Sequence, residues 1–181
     1  MGAEMTIDLK KLSFALAAVL ALDATVAPSV LAAGKNAPLG YQLLCLKNPN
    51  ALECKGGGKA QISITTDVMA TLKRVNSQVN RSIKPKYDTS GVDVWTANAS
   101  AGDCEDYVLT KRRALVKAGI PASSLRIAYV KTRKGEDHAI LVIKTNGKDL
   151  VLDNLTATIK PLSQTGYRVV SMSGANPRRW S

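Results

Sequence analysis

The stretch Gly102-Asp103-Cys104-Glu105-Asp106-Tyr107 sets a thiol where a helix is about to begin. The only histidine of the chain, His138, follows, and Asp153 comes after it, beyond a hairpin turn. These three residue types form a working set. An imidazole can take the proton of a thiol, and the resulting pair stays reactive. A carboxylate on the far side of the ring fixes its tautomer and orientation. The amide of Cys104 at a helix start can donate to a developing oxyanion. The reaction class is acyl transfer through a thioester. Water as acceptor gives proteolysis or deamidation, and an amine gives crosslinking. The trio itself leaves that choice open. Zinc is ill served, because one His and one unpaired Cys are a poor ligand set.

The elements that must hold these residues can be read around them. Cys104, Tyr107, Val108, Leu115 and Ala118 fall on one face of a helix, with Asp103 as N-cap and Gly119 and Pro121 as its stop. Cys104 then sits in the first turn, where free amides and the helix dipole favour a thiolate. Asp103, Glu105 and Asp106 add negative charge that opposes it, a conflict that a bound cation would resolve. Three antiparallel strands follow, over 125–131, 138–144 and 150–155. The last two are joined by Asn146-Gly147, a strong hairpin signal. A two-residue turn there makes paired numbers sum to 293. Leu155 then faces His138, and Asp153 faces Ile140. His138 and Asp153 become diagonal neighbours on one sheet face. A slip of one residue would put them on opposite faces. A further strand is expected over 167–172. Val68, Leu72, Val75, Val79 and Ile83 predict an earlier helix that Pro85 stops. Residues 84–101 read as loop, in which Trp95 either packs the loop down or lines a groove.

The rest of the chain concerns delivery. Lys10 and Lys11 precede the apolar run Leu12 to Leu22, which is too short for a membrane span. Val30-Leu31-Ala32 fits a cleavage site. Residues 1–32 are therefore expected to be a signal peptide cleaved near Ala32, and the protein to be periplasmic. Residues 33–60 read as an irregular N-terminal segment, and 61–181 as the catalytic domain. In an oxidising compartment Cys45 and Cys54 can pair across a short loop, leaving Cys104 as the odd thiol. The net charge is +11. Residues 1–32 carry two lysines against three acids, so their removal raises it to +12. The cations are scattered except at Lys111-Arg112-Arg113 and Arg178-Arg179, and aromatics are few, so nucleic acid is not expected as a partner. A solvated basic surface suited to an acidic protein substrate is the expectation.

These residues carry a resemblance. The Cys104 stretch, Lys111-Arg112-Arg113, Asp137-His138-Ala139 and Leu152-Asp153-Asn154-Leu155-Thr156 resemble the bacterial transglutaminase-like cysteine proteinases, as do Ser82-Ile83-Lys84-Pro85 and the run Pro177 to Trp180. The resemblance implies an α+β fold with a papain-like, transglutaminase-type core, the nucleophile helix packed on an antiparallel sheet. It implies Cys104, His138 and Asp153 as triad and no organic cofactor. It implies calcium at Asp103 and Glu105, with Asp106, Asp88 or Asp93 as further candidates, since calcium takes six to eight oxygens. It also implies a periplasmic protease that releases a large surface adhesin by cutting near a di-alanine site, with a membrane-bound receptor as regulator. Two other readings of the same residues are a transglutaminase or deamidase, and a non-catalytic binding module that uses the groove.

Overall fold

The structure is a computed structural model that describes residues 1–2, 36–89 and 93–181. The signal-peptide expectation lies, but for Met1 and Gly2, outside the described residues. Pro38 stands at the start of helix α1 (Leu39–Lys47), whose inner side buries Tyr41 and Cys45. This corrects the expectation of an irregular segment over 33–60. Apolar residues lie on both sides of α1, Tyr41 and Cys45 inside and Leu39, Leu43 and Leu46 exposed, so the sequence shows no helical period. Cys45 is bonded to Cys54, as expected. The Tyr41 ring packs edge-on against Trp95 at 5.5 Å and also against Trp180.

Helix α2 (Thr66–Ser82) is capped by Thr65, whose hydroxyl accepts from the Val68 amide. Its buried side holds Leu72, Val75 and Val79, as the spacing predicts. Short strand β1 (Lys84–Pro85) pairs in parallel with β2 (Ala101–Gly102), which pins both ends of the segment expected to be plain loop. Helix α3 (Cys104–Lys117) follows at once, and Gly119 at φ 87° ends it in the left-handed region that favours glycine.

The rest is a five-stranded antiparallel sheet: β3 (Leu125–Lys131), β4 (Asp137–Ile143), β5 (Leu150–Leu152), β6 (Lys160–Pro161) and β7 (Arg168–Met172). Their spatial order is β6-β5-β4-β3-β7. Leu141 pairs with Leu152, Val142 with Val151 and Ile143 with Leu150, so the register is the expected one. β5 stops at Leu152, and Asp153 lies just past its end. Alternation divides the core. Ile127, Ala139, Leu141, Ile143 and Leu152 face α2 and α3, while Ala128, Val130, Ile140, Val142 and Val151 face the other way, against Leu162, Tyr167 and Met172.

Lys111 and Arg112 overturn the expectation of a solvated basic cluster, because both are fully buried. The Arg112 guanidinium donates to the carbonyls of Leu52, Lys55, Ala122 and Leu125, drawing the disulfide loop onto α3. Arg113 pairs with Glu53 at 2.5 Å.

Candidate active site

Asp103 stands at the N-cap of α3 and Cys104 is its first residue. Asp103 caps by position only, with no side-chain bond to the helix amides. Gly102 is needed here, since a Cβ on it would meet the Asp106 carboxylate at 2.0 Å. The Cys104 thiol is half-buried and donates to Glu105 Oε2 at 3.1 Å. Burial pushes the thiol well above the usual cysteine range. The charge and hydrogen bond of Glu105 push it further, and the Ala139 amide donating to sulfur acts against them. Burial together with the acidic neighbours therefore disfavours the thiolate expected from position alone.

His138 enters from β4. Its Nε2 lies 2.8 Å from Asp153 Oδ1, with both side chains buried. The diagonal contact expected from the hairpin register is thus made. The imidazole keeps Nδ1 free of Asp153, so an ionised Asp153 selects the tautomer protonated on Nε2 and basic on Nδ1. Three further groups fix Asp153. The Leu155 amide donates to Oδ1 at 3.0 Å, the Tyr167 hydroxyl to Oδ2 at 2.7 Å, and Asn80 holds the Asp153 carbonyl at 2.9 Å. Burial alone would push the Asp153 carboxyl up. The hydrogen bonds and charge of His138, with the bonds from Leu155 and Tyr167, outweigh it and hold the group below the usual carboxylate range. The Tyr167 ring stands edge-on to His138 at 5.8 Å. In the sequence Tyr167 reads only as the start of a strand, and Asn80 as a polar position of α2. Neither carries a local signal, since each reaches Asp153 from a distant element.

Cys104 and His138 meet at one end of β4. Cys104 comes from the helix side, against Ala139. A cavity of about 210 Å³ is lined by both residues together with Glu105, Trp95, Tyr129 and Asp137. The thiol is turned to Glu105 and makes no hydrogen bond to the imidazole. Trp95 takes both roles open to it in the sequence. It is buried against Tyr41 and also lines this cavity. Its Nε1 donates to Asp93 at 2.7 Å, and its ring lies so close to Gly40 that a Cβ there would stand 2.3 Å from Cδ1.

Carboxylate oxygens of Asp88, Asp103 and Glu105 lie within 4.8 Å of one another. Asp103 Oδ1 is buried and accepts no hydrogen bond among the described residues. Burial pushes the Glu105 carboxyl up to about 9, and its hydrogen bonds with Asp93 and Asp103 push the same way. Three crowded carboxylates with an orphaned oxygen fit a hard divalent cation. Of the other candidates, Asp106 accepts the Thr96 amide at 2.7 Å and Asp93 accepts from Trp95.

The bacterial transglutaminase-like cysteine proteinase family, BTLCP, matches residues 32–181. Among solved structures, Legionella pneumophila LapG matches with 27% identity and a TM-score of 0.53, over 59% of this chain and 65% of that one. Its calcium-bound form matches with 28% identity and a TM-score of 0.54, over 60% of this chain and 66% of that one. The chain thus spans just under two-thirds of the length of the LapG chains it matches. No curated protein matches.

Proposed function

Because the chain belongs to the bacterial transglutaminase-like cysteine proteinases, we propose that it is an exported, calcium-dependent peptidase that hydrolyses a protein substrate through a thioester on Cys104. His138 is the base and Asp153 its orienter. The observation that carries this reading is the buried His138–Asp153 pair at 2.8 Å, whose His138 lines the same cavity as Cys104.

In this reading the thiol leaves Glu105 and gives its proton to His138 Nδ1. The sulfur attacks the scissile carbonyl carbon, and the oxyanion takes the Cys104 amide at the start of α3. His138 then returns the proton to the leaving amine as the C–N bond breaks, and the acyl group stays on sulfur. Water, deprotonated by the same nitrogen, releases the new carboxylate and restores the thiol. Asp153 remains ionised throughout and carries no proton.

Asp88, Asp103 and Glu105 would hold the calcium. When bound there, it supplies positive charge that offsets these carboxylates beside the nucleophile. The existence of a calcium-bound form of LapG supports calcium as the ion. By the same relationship the substrate is a large surface adhesin, cut in the periplasm, and a membrane-bound receptor is the regulator. The basic surface of the chain, at net charge +11, suits an acidic substrate.

A proteome-derived peptide library, incubated with the protein and calcium and read by mass spectrometry, tests the reading. New peptide termini are expected with the wild type and not with a folded Cys104→Ala variant. Equal cleavage by both would rule out the assignment. Ammonia release or crosslinks without new termini would make the protein a deamidase or transglutaminase instead.

A further inference from the structure

Helix α1 and residues 93–97 are two walls of an open groove of about 690 Å³. Gly40, Leu43, Leu44 and Lys47 recur at helical spacing along the α1 wall. Val94, Trp95 and Ala97 belong to the other. Leu43 and Val94 are exposed, so large apolar side chains of both walls are left uncovered together. The backbone of the second wall is only half used. The amides of Val94, Thr96 and Asn98 donate to the side chains of Asp88, Asp106 and Thr110. Those of Trp95 and Ala97, between them, make no hydrogen bond among the described residues. This alternation is that of an edge strand, held on one side and open to pairing on the other. Asp93 and Trp95 line the Cys104 cavity as well, so they form the wall between cavity and groove.

Resting on the peptidase reading above, we propose that this groove is the subsite for the substrate chain on one side of the scissile bond. It takes that chain extended, with its carbonyls accepting from the Trp95 and Ala97 amides. An apolar side chain of the substrate sits between Leu43 and Val94, and a carboxylate at Lys47.

Continuity and charge identify the occupant. A polypeptide is far larger than the cavity of about 210 Å³, so a chain acylating Cys104 continues past its rim, and Asp93 and Trp95 carry that rim into the groove. Lys47 is exposed and makes no ion pair among the described residues. Arg113, by contrast, is paired with Glu53, and Asp93 accepts from Trp95 Nε1. The cation left for a ligand is therefore Lys47. Pro38, at the N-cap of α1, lines the Cys104 cavity, and Lys47 is the last residue of the helix. The 9 residues of α1 rise about 13 Å, the span of about four residues of extended chain. An acidic residue is thus expected about four positions from the cut.

The test uses Cys104→Ala protein, which can bind but not turn over, with Lys47 kept and with Lys47→Glu. Lys47 is exposed, so the substitution leaves the packing intact. Each form is incubated with a proteome-derived peptide library and calcium, and the retained peptides are sequenced by mass spectrometry. Retention by the form with Lys47 is expected to favour Asp and Glu roughly two- to fivefold over Lys47→Glu, the size of one exposed ion pair. The active protein and its Lys47→Glu variant are expected to differ in the same sense about four positions to one side of the cut. Charge-selective retention without any cleavage by the active protein would keep the subsite and sink the peptidase reading. The same peptides retained and cut by both forms, or none retained by either, overturn the subsite and leave the peptidase reading to its own test. A dimer in sedimentation that Leu43→Glu dissolves would give the groove to a second copy of the chain, and overturns the proposal as well.

Discussion

Three donors meet on the Asp153 carboxylate, and their effects are separable. Tyr167→Phe deletes only the hydroxyl that donates to Oδ2. The loss of one hydrogen bond of about 1 kcal/mol predicts a five- to tenfold fall, roughly, in cleavage rate, with substrate affinity kept. An unchanged rate would remove Tyr167 from the site. The same carboxyl is held below its ordinary value of about 3.8. A depressed carboxyl contributes stability that is present above its ordinary value and lost as pH falls through the folded one. Urea unfolding between about pH 5 and pH 3 should therefore show the wild type losing stability faster than Asp153→Asn. Parallel losses would contradict the assignment. At this scale His138 and Asp153 were legible because a period of two and an Asn-Gly turn set their register. Tyr167 was not, because it reaches the site through a connection with no local code. The Cys104–Glu105 bond was half legible: the charge conflict at the start of α3 was visible, but not the burial that, with the acids, disfavours the thiolate.

Helices α1 and α3 carry predictions of another kind. The Cys45–Cys54 bond ties α1 to the loop that Arg112 grips by the Leu52 and Lys55 carbonyls. Replacing both cysteines with alanine is expected to lower unfolding stability by about 2–4 kcal/mol, read by urea titration under oxidising conditions. No loss would mean that Arg112 alone holds this loop. α1 was invisible in the sequence, since its two apolar sides cancel any period. The burial of Lys111 and Arg112 was invisible for the opposite reason. Cations in a helical run ordinarily mark a solvated face, and only the tertiary supply of carbonyls around Arg112 reverses that. Strand positions fared better, because Leu125–Lys131 and Leu150–Leu152 pack on both faces and end at turn residues.

For the whole molecule, a chain of net charge +11 still gathers Asp88, Asp103 and Glu105 within reach of one another, at the nucleophile. Calcium is therefore expected to raise thermal stability, by about 2.7 kcal/mol at a hundredfold excess over its dissociation constant. Asp103→Asn should abolish most of that gain, and equal gains in both proteins would place the ion elsewhere. The most direct test of the account is the rate at which iodoacetamide alkylates Cys104 across pH, in the wild type and His138→Ala, with calcium and with EGTA. The account predicts that with calcium the wild-type thiol reacts at pH values well below those a free cysteine needs. That reactivity is expected to be lost in His138→Ala and to fall in EGTA, when the protonated thiol stays hydrogen-bonded to Glu105. Equal rates for wild type and His138→Ala in the presence of calcium would contradict it.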